Sequence, residues 1–186
     1  MTEEPLRDRL VRVGVALLEQ DGLPALTLRE IARRAGVSHG APRRYFPTHL
    51  ELLSAIAHEG YAQLAVTVRP APEDGPREQL AALARGYLAF ARANPGMFEL
   101  MFRHDLLASG HLGLRETSLP LFARLVDLVA DVGTRSAAPP WVVAGALWAN
   151  LHGIAQLRSW GSLQLATGED DPEPLVSAAL DAYVRG

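Results

Sequence analysis

Apolar residues recur at three- and four-residue intervals along this 186-residue chain, and no stretch between turn signals alternates apolar with polar residues. That spacing follows the helical period and predicts an all-α fold. Leu6, Leu10, Val13 and Leu17 place one apolar stripe on a first helix, which Asp21-Gly22 ends. Thr27 is positioned to cap a second helix carrying Leu28, Ile31, Ala32 and Ala35 on one face, and Gly36 stops it. Ser38 is the candidate cap of a third, short helix that must end by Phe46, because Pro47 follows. Thr48 and Glu51 have capping-box spacing and open a fourth helix through Leu53, Ile56, Ala57, Gly60 and Leu64. Pro70, Pro72, Gly75 and Pro76 then mark a hinge-like connection.

Beyond the hinge, turn signals predict a helix from about Arg77 to Ala93, a short apolar segment Met97 to Phe102, and a loop from about His104 to Gly113. Further helices are expected from about Arg115 to Val132, Pro140 to Trp160 and Pro172 to Val184. The chain has no cysteine, which removes disulfides, thiolate nucleophiles and cysteine-ligated metal sites from consideration. The acidic start Met1-Thr2-Glu3-Glu4 is unlike a secretory signal. Trp141 to Leu157 is interrupted by Asn150, His152 and Gln156, so no membrane span is expected and the reading is cytoplasmic.

The net charge of −3 conceals an uneven distribution. Residues 27–46 carry Arg29, Arg33, Arg34, Arg43 and Arg44 against Glu30 alone. A basic pair of short helices joined by Gly36-Val37-Ser38 is the pattern of a helix-turn-helix. In such a unit the first helix crosses the phosphate backbone and holds the second in the major groove. Ile31, Ala32, Ala35, Val37 and Phe46 would form its small core, leaving His39, Gly40, Arg43 and Arg44 outward. Arginine suits either role there, clamping a phosphate or taking guanine O6 and N7 together. Thr27, Ser38, Tyr45 and His49 are candidate phosphate ligands.

The run Leu26-Thr27-Leu28-Arg29-Glu30-Ile31-Ala32-Arg33-Arg34-Ala35-Gly36-Val37-Ser38, followed by Arg44-Tyr45-Phe46-Pro47-Thr48-His49-Leu50-Glu51, resembles the TetR/AcrR family of bacterial transcriptional regulators. The resemblance implies an all-helical homodimer in which residues 1–48 bind DNA as a three-helix unit and residues 49–186 bind a small effector and dimerise. It also implies a base contact for Arg29, recognition-helix positions for His39, Gly40, Arg43 and Arg44, and a phosphate contact for Tyr45. Two positions depart from the family pattern. His49 replaces a lysine and is a weaker, protonation-dependent phosphate partner. Pro42 replaces a leucine; without an N–H it cannot bond the Ser38 carbonyl, so a late or distorted start to the recognition helix is expected.

In the second part, Trp148-Ala-Asn-Leu-His152-Gly153 resembles the W-x-x-x-H-G signature of one C-terminal subgroup of that family. Trp148 and His152 share a helix face, either as walls of an effector pocket or as a packing tryptophan beside a satisfied core histidine, with Gly153 permitting close helix approach. Tyr87, Phe90, Phe98, Met101 and Phe102 are candidates for the same wall, which would suit an apolar or aromatic effector. A dimer seam is expected along Trp141, Ala144, Leu147, Leu151 and Ile154, together with Leu175, Ala179, Leu180 and Tyr183.

The leading expectation is therefore an effector-released repressor on a roughly palindromic operator, with no catalytic residue, metal or cofactor and no membrane partner. A DNA-binding regulator without an effector is the alternative. A helical enzyme using His104, Asp105 and His111 is disfavoured, because their spacing matches no ligand motif and no nucleotide or nucleophile fingerprint is present.

Overall fold

The computed structural model describes residues 4–71, 73–109 and 113–186, so Pro72 of the hinge and His111 lie outside the described residues. Ten α-helices are present among them: α1 Leu6–Asp21, α2 Leu28–Arg34, α3 His49–Thr67, α4 Pro76–Ala93, α5 Pro95–Met101, α6 His104–Ser109, α7 Leu114–Val132, α8 Pro140–Ser159, α9 Ser162–Thr167 and α10 Glu173–Tyr183. Two 3₁₀ turns, Leu23–Ala25 and Ala41–Arg44, complete the N-terminal part. No described residue forms a strand, apart from an isolated antiparallel bridge between Thr134 and Val184. The chain divides into two compact units, one made of residues 1–63 with 94–117, the other of residues 64–93 with 118–186.

In the first unit, α1 packs against α2 and α5 through Leu10, Leu17 and Leu18, over a core that also takes Ile31, Leu52, Ile56 and Met101, all essentially solvent-free. Gly14 is where α1 meets α3: a Cβ there would stand 2.4 Å from Ile56 Cδ1. The expected caps at both ends of the helix-turn-helix form. The Thr27 hydroxyl accepts from the Glu30 N–H at 3.2 Å, and the Thr48 hydroxyl accepts from the Glu51 N–H at 3.2 Å. Gly36 adopts φ +70°, the left-handed conformation that ends a helix at least cost for glycine.

The third helix lacks the Ser38 cap and has the late start expected from Pro42. It begins later than Ser38, with Gly40 at its N-cap position, and comprises only the 3₁₀ turn Ala41–Arg44. Pro42 is the reason. It has no N–H for the Ser38 carbonyl, which instead accepts from Ala41 N–H at 3.0 Å, a tighter i to i+3 closure. The Pro42 carbonyl then accepts from both Tyr45 and Phe46, ending the turn before Pro47.

In the second unit, α8 packs on α4 and α10, with Leu80, Ala84, Leu88, Leu147, Leu151, Val176 and Leu180 between them. The C-terminal segment is tied down beside Gly133: Arg185 N–H donates to the Gly133 carbonyl at 3.0 Å, and Arg77 bridges to Asp181 and to the Arg185 carbonyl. Two short helices were not anticipated, α6 in the expected loop and α9 after α8; at six residues each they are too short to show a repeating apolar pattern.

The seam expectation is corrected. Ala144, Leu147, Leu151 and Ile154 are buried inside the unit, as are Ala179 and Leu180, while α8 turns Trp141, Val142, Trp148 and Leu157 outward, with Trp160 following at its end. This helix is apolar around its whole circumference, so periodicity alone could not tell its inner face from its outer one. Gly153 does not serve close helix approach among the described residues, since nothing stands within 4 Å of where its Cβ would lie.

Candidate nucleic-acid interface and body site

The residues nominated for DNA, Thr27, Arg29, Ser38, His39, Gly40, Arg43, Arg44, Tyr45 and His49, are all exposed in the first unit. Its arginines fall into two groups. Arg33 and Arg34 are held by acids: their Nε–H groups donate to the Glu30 carboxylate at 2.8 and 3.0 Å, and Arg34 also binds Gln20 and Asp21 at the end of α1. The two guanidiniums hold the Glu30 carboxyl down to about 2, with hydrogen bonds from Arg33 and then Arg34 as the main cause. Arg29, Arg43 and Arg44 have no such partner among the described residues. The positive charge available to a polyanion is thus narrower than the sequence suggests and is concentrated at the start of α2 and on the 3₁₀ turn.

The turn is fixed from behind. Pro42 and Phe46 are buried, and the Arg7 guanidinium lies 5.4 Å from the Phe46 ring centroid, a cation–π contact. His49 opens α3, and its Nε2–H donates to the Leu26 carbonyl at 2.6 Å, which ties that helix to the residue before the Thr27 cap. With Nε2–H committed, His49 can donate to a phosphate only through Nδ1, and hence only when the ring is a cation.

Tyr87, Phe90, Trp148 and His152 belong to the second unit, and Phe98, Met101 and Phe102 to the first. In the second unit Trp148 Nε1–H donates to the Tyr87 hydroxyl at 3.2 Å, and that hydroxyl lies 2.8 Å from His152 Nδ1. The Tyr87 hydroxyl thus bridges the indole and the imidazole. Burial pushes the His152 pKa down, which favours the neutral ring. Trp148 is 40% exposed, and its ring also meets Phe122 edge-on at 6.2 Å. Phe90 is buried.

In the first unit Phe98 and Phe102 pack edge to face at 4.9 Å, Phe102 meets Tyr61 at 6.2 Å, and Met101 is fully buried. Tyr61 was not nominated from the sequence. Its hydroxyl donates to the Met101 carbonyl at 2.8 Å, and burial pushes its pKa up to about 12. Asp105, considered for an enzymatic role, is ion-paired with Arg103, which lowers its pKa.

The family model for bacterial regulatory proteins of the tetR family matches residues 10–56, and that for the tetracyclin repressor-like C-terminal domain matches residues 80–183. The chain belongs to the TetR family. Its N-terminal match is to the helix-turn-helix part of these regulators, and its C-terminal match is to their repressor-like second domain. An HTH-type transcriptional regulator of Mycobacterium tuberculosis is 31% identical over 103 residues, which cover 53% of this chain and 44% of that protein; the chain thus spans less than half of this relative's length. A structure from Rhodococcus sp. RHA1, described as a protein with unknown function, superimposes with a TM-score of 0.78 at 28% identity over 96% of this chain and 93% of the other. BioQ, solved with its double-stranded DNA operator, shares the fold at a TM-score of 0.68 and 22% identity, over 97% of this chain and 99% of the other. No helix among the described residues is long and apolar enough to cross a membrane.

Proposed function

We propose that this TetR-family chain is a cytoplasmic, ligand-responsive repressor that binds a roughly palindromic operator as a homodimer. Residues 1–48 supply the DNA contacts and residues 49–186 the effector site and the dimer seam. Arg29, Arg43 and Arg44 carry the charge that meets DNA, with Thr27, Ser38, His39, Gly40, Tyr45 and His49 around them. The observation that carries this reading is the division of the arginines: Glu30 and Asp21 occupy Arg33 and Arg34, while the three exposed guanidiniums of Arg29, Arg43 and Arg44 have no acid partner among the described residues.

The exposed face of α8 supports a self-association seam, since Trp141, Gly145, Trp148 and Ala149 follow one another at helical spacing and nothing fills the space next to Gly145. A dimer would set two reading elements ~34 to 36 Å apart, one helical turn of DNA. A small, largely apolar effector is assigned to the second unit, at Trp148 and His152 of the W-x-x-x-H-G subgroup motif with Tyr87 and Phe90 beside them. Its binding shifts the equilibrium away from the DNA-competent state only by its difference in affinity for the two states.

One observation favours the reading without an effector: the Tyr87 hydroxyl is engaged with Trp148 Nε1 and His152 Nδ1 within the unit itself. The test is binding of the purified protein to duplexes recovered from the source genome, followed by anisotropy at increasing salt and with added apolar and aromatic compounds. Salt-sensitive binding released by one compound class supports the proposal. Binding that no compound alters moves the assignment to the effector-free regulator, and absence of duplex binding at low salt refutes both.

A further inference from the structure

The short reading element has a consequence for which DNA this protein selects. Had the helix run from Ser38 in the α form, residues four apart would stand side by side, placing His39 next to Arg43 and Gly40 next to Arg44. In the 3₁₀ form residues three apart eclipse, so Arg43 lines up with Gly40, and Arg44 with the half-buried Ala41, while His39 precedes the turn. The two arginines therefore stand beside the smallest side chains in the segment. At a rise of about 2 Å per residue the turn is only about 6 to 8 Å long, which is about two base-pair steps.

We infer that Pro42, which is buried and cannot itself touch DNA, sets the breadth of base reading: by enforcing a four-residue 3₁₀ turn it confines direct readout in each half-site to about two or three base pairs, dominated by guanine contacts from Arg43 and Arg44. This rests on the DNA-binding role of the helix-turn-helix. Arginine prefers guanine because its fork matches O6 and N7 together, and no exposed acid or amide lies between Ser38 and Tyr45 to read cytosine or adenine. Pro42 is thus a positioning residue: it acts through the one carbonyl, that of Ser38, whose partner it changes from residue 42 to residue 41.

The experiment is selection of bound duplexes from a randomised pool, sequenced in parallel for the native protein and for Pro42→Ala. The variant regains an N–H able to reach the Ser38 carbonyl. In the native protein, base preference should concentrate in about two or three guanine-rich positions per half-site, and Pro42→Ala should extend it by at least one adjacent base pair through His39. Equal breadth in the two proteins overturns the inference. A second measurement needs no variant: replacing each selected guanine with 7-deazaguanine, which lacks N7, should weaken the native protein by about tenfold at the read positions. Unchanged affinity at every guanine overturns the inference as well. If the native protein retains no duplex at all, the DNA-binding reading beneath it fails first.

Discussion

Replacing Tyr87 by Phe removes a single oxygen from the second unit while leaving the ring volume in place. That oxygen accepts from Trp148 Nε1–H at 3.2 Å and shares a hydrogen bond with His152 Nδ1 at 2.8 Å, and the tyrosine around it is 5% exposed. A neutral hydrogen bond contributes a net of about 0.5 to 1.5 kcal/mol, and a buried acceptor left without a partner costs about 1 to 3 kcal/mol. Loss of the hydroxyl removes both hydrogen bonds at once and should amount to about 1 to 2 kcal/mol. For a chain of this size that corresponds to a melting midpoint lower by about 2 to 8 °C.

A pH series adds a second readout. Burial favours the neutral His152 ring, so its folded-state pKa lies below that of the unfolded chain. The stability it contributes is complete above the unfolded imidazole value of about 6.5 and is lost as pH falls through that value towards the folded one. Tyr87→Phe leaves that burial in place, so the loss on acidification should persist in the variant while its midpoint is lower at every pH. Urea unfolding followed by tryptophan emission, at pH values on either side of that point, measures both effects. An unchanged midpoint would refute the hydrogen-bonded arrangement of Tyr87, Trp148 and His152.

Three further outcomes are expected. Glu30→Gln frees Arg33 while Arg34 stays paired with Asp21, so duplex affinity should rise at low salt, and log K against log salt should steepen by about 1 in slope; an unaltered slope would place Arg33 away from the phosphates. Arg43→Ala should cost about 1 to 3 kcal/mol of operator binding and relax preference at one position of each half-site, measured by anisotropy on single-base operator variants. Phe46→Ala empties a site that is 1% exposed behind the reading turn, and should destabilise the first unit by about 3 to 5 kcal/mol, read from chemical denaturation.

The start signals were the most legible part of the chain, because a cap is decided by one hydroxyl and the residues that follow it. Thr27 and Thr48 behave as their spacing implies. Ser38 does not, and Pro42 already contained the reason: a missing N–H four residues on. The partition into compact units was not legible, since residues 94–117 join the N-terminal unit through contacts between segments far apart in the chain. Nor was the pairing of Arg33 and Arg34, which depends on Gln20 and Asp21 arriving from the end of α1. The exposure of the nominated DNA residues could be anticipated because they remain once the apolar face of the helix-turn-helix is assigned inward.

All three tryptophans, Trp141, Trp148 and Trp160, lie on α8 or directly after it, and the unit bearing the reading turn has none. The protein consequently carries a built-in optical reporter in a different unit from the arginines assigned to DNA. Any change in indole emission on adding a duplex would originate in the second unit, so an unlabelled titration would show directly whether an event at one unit is felt in the other.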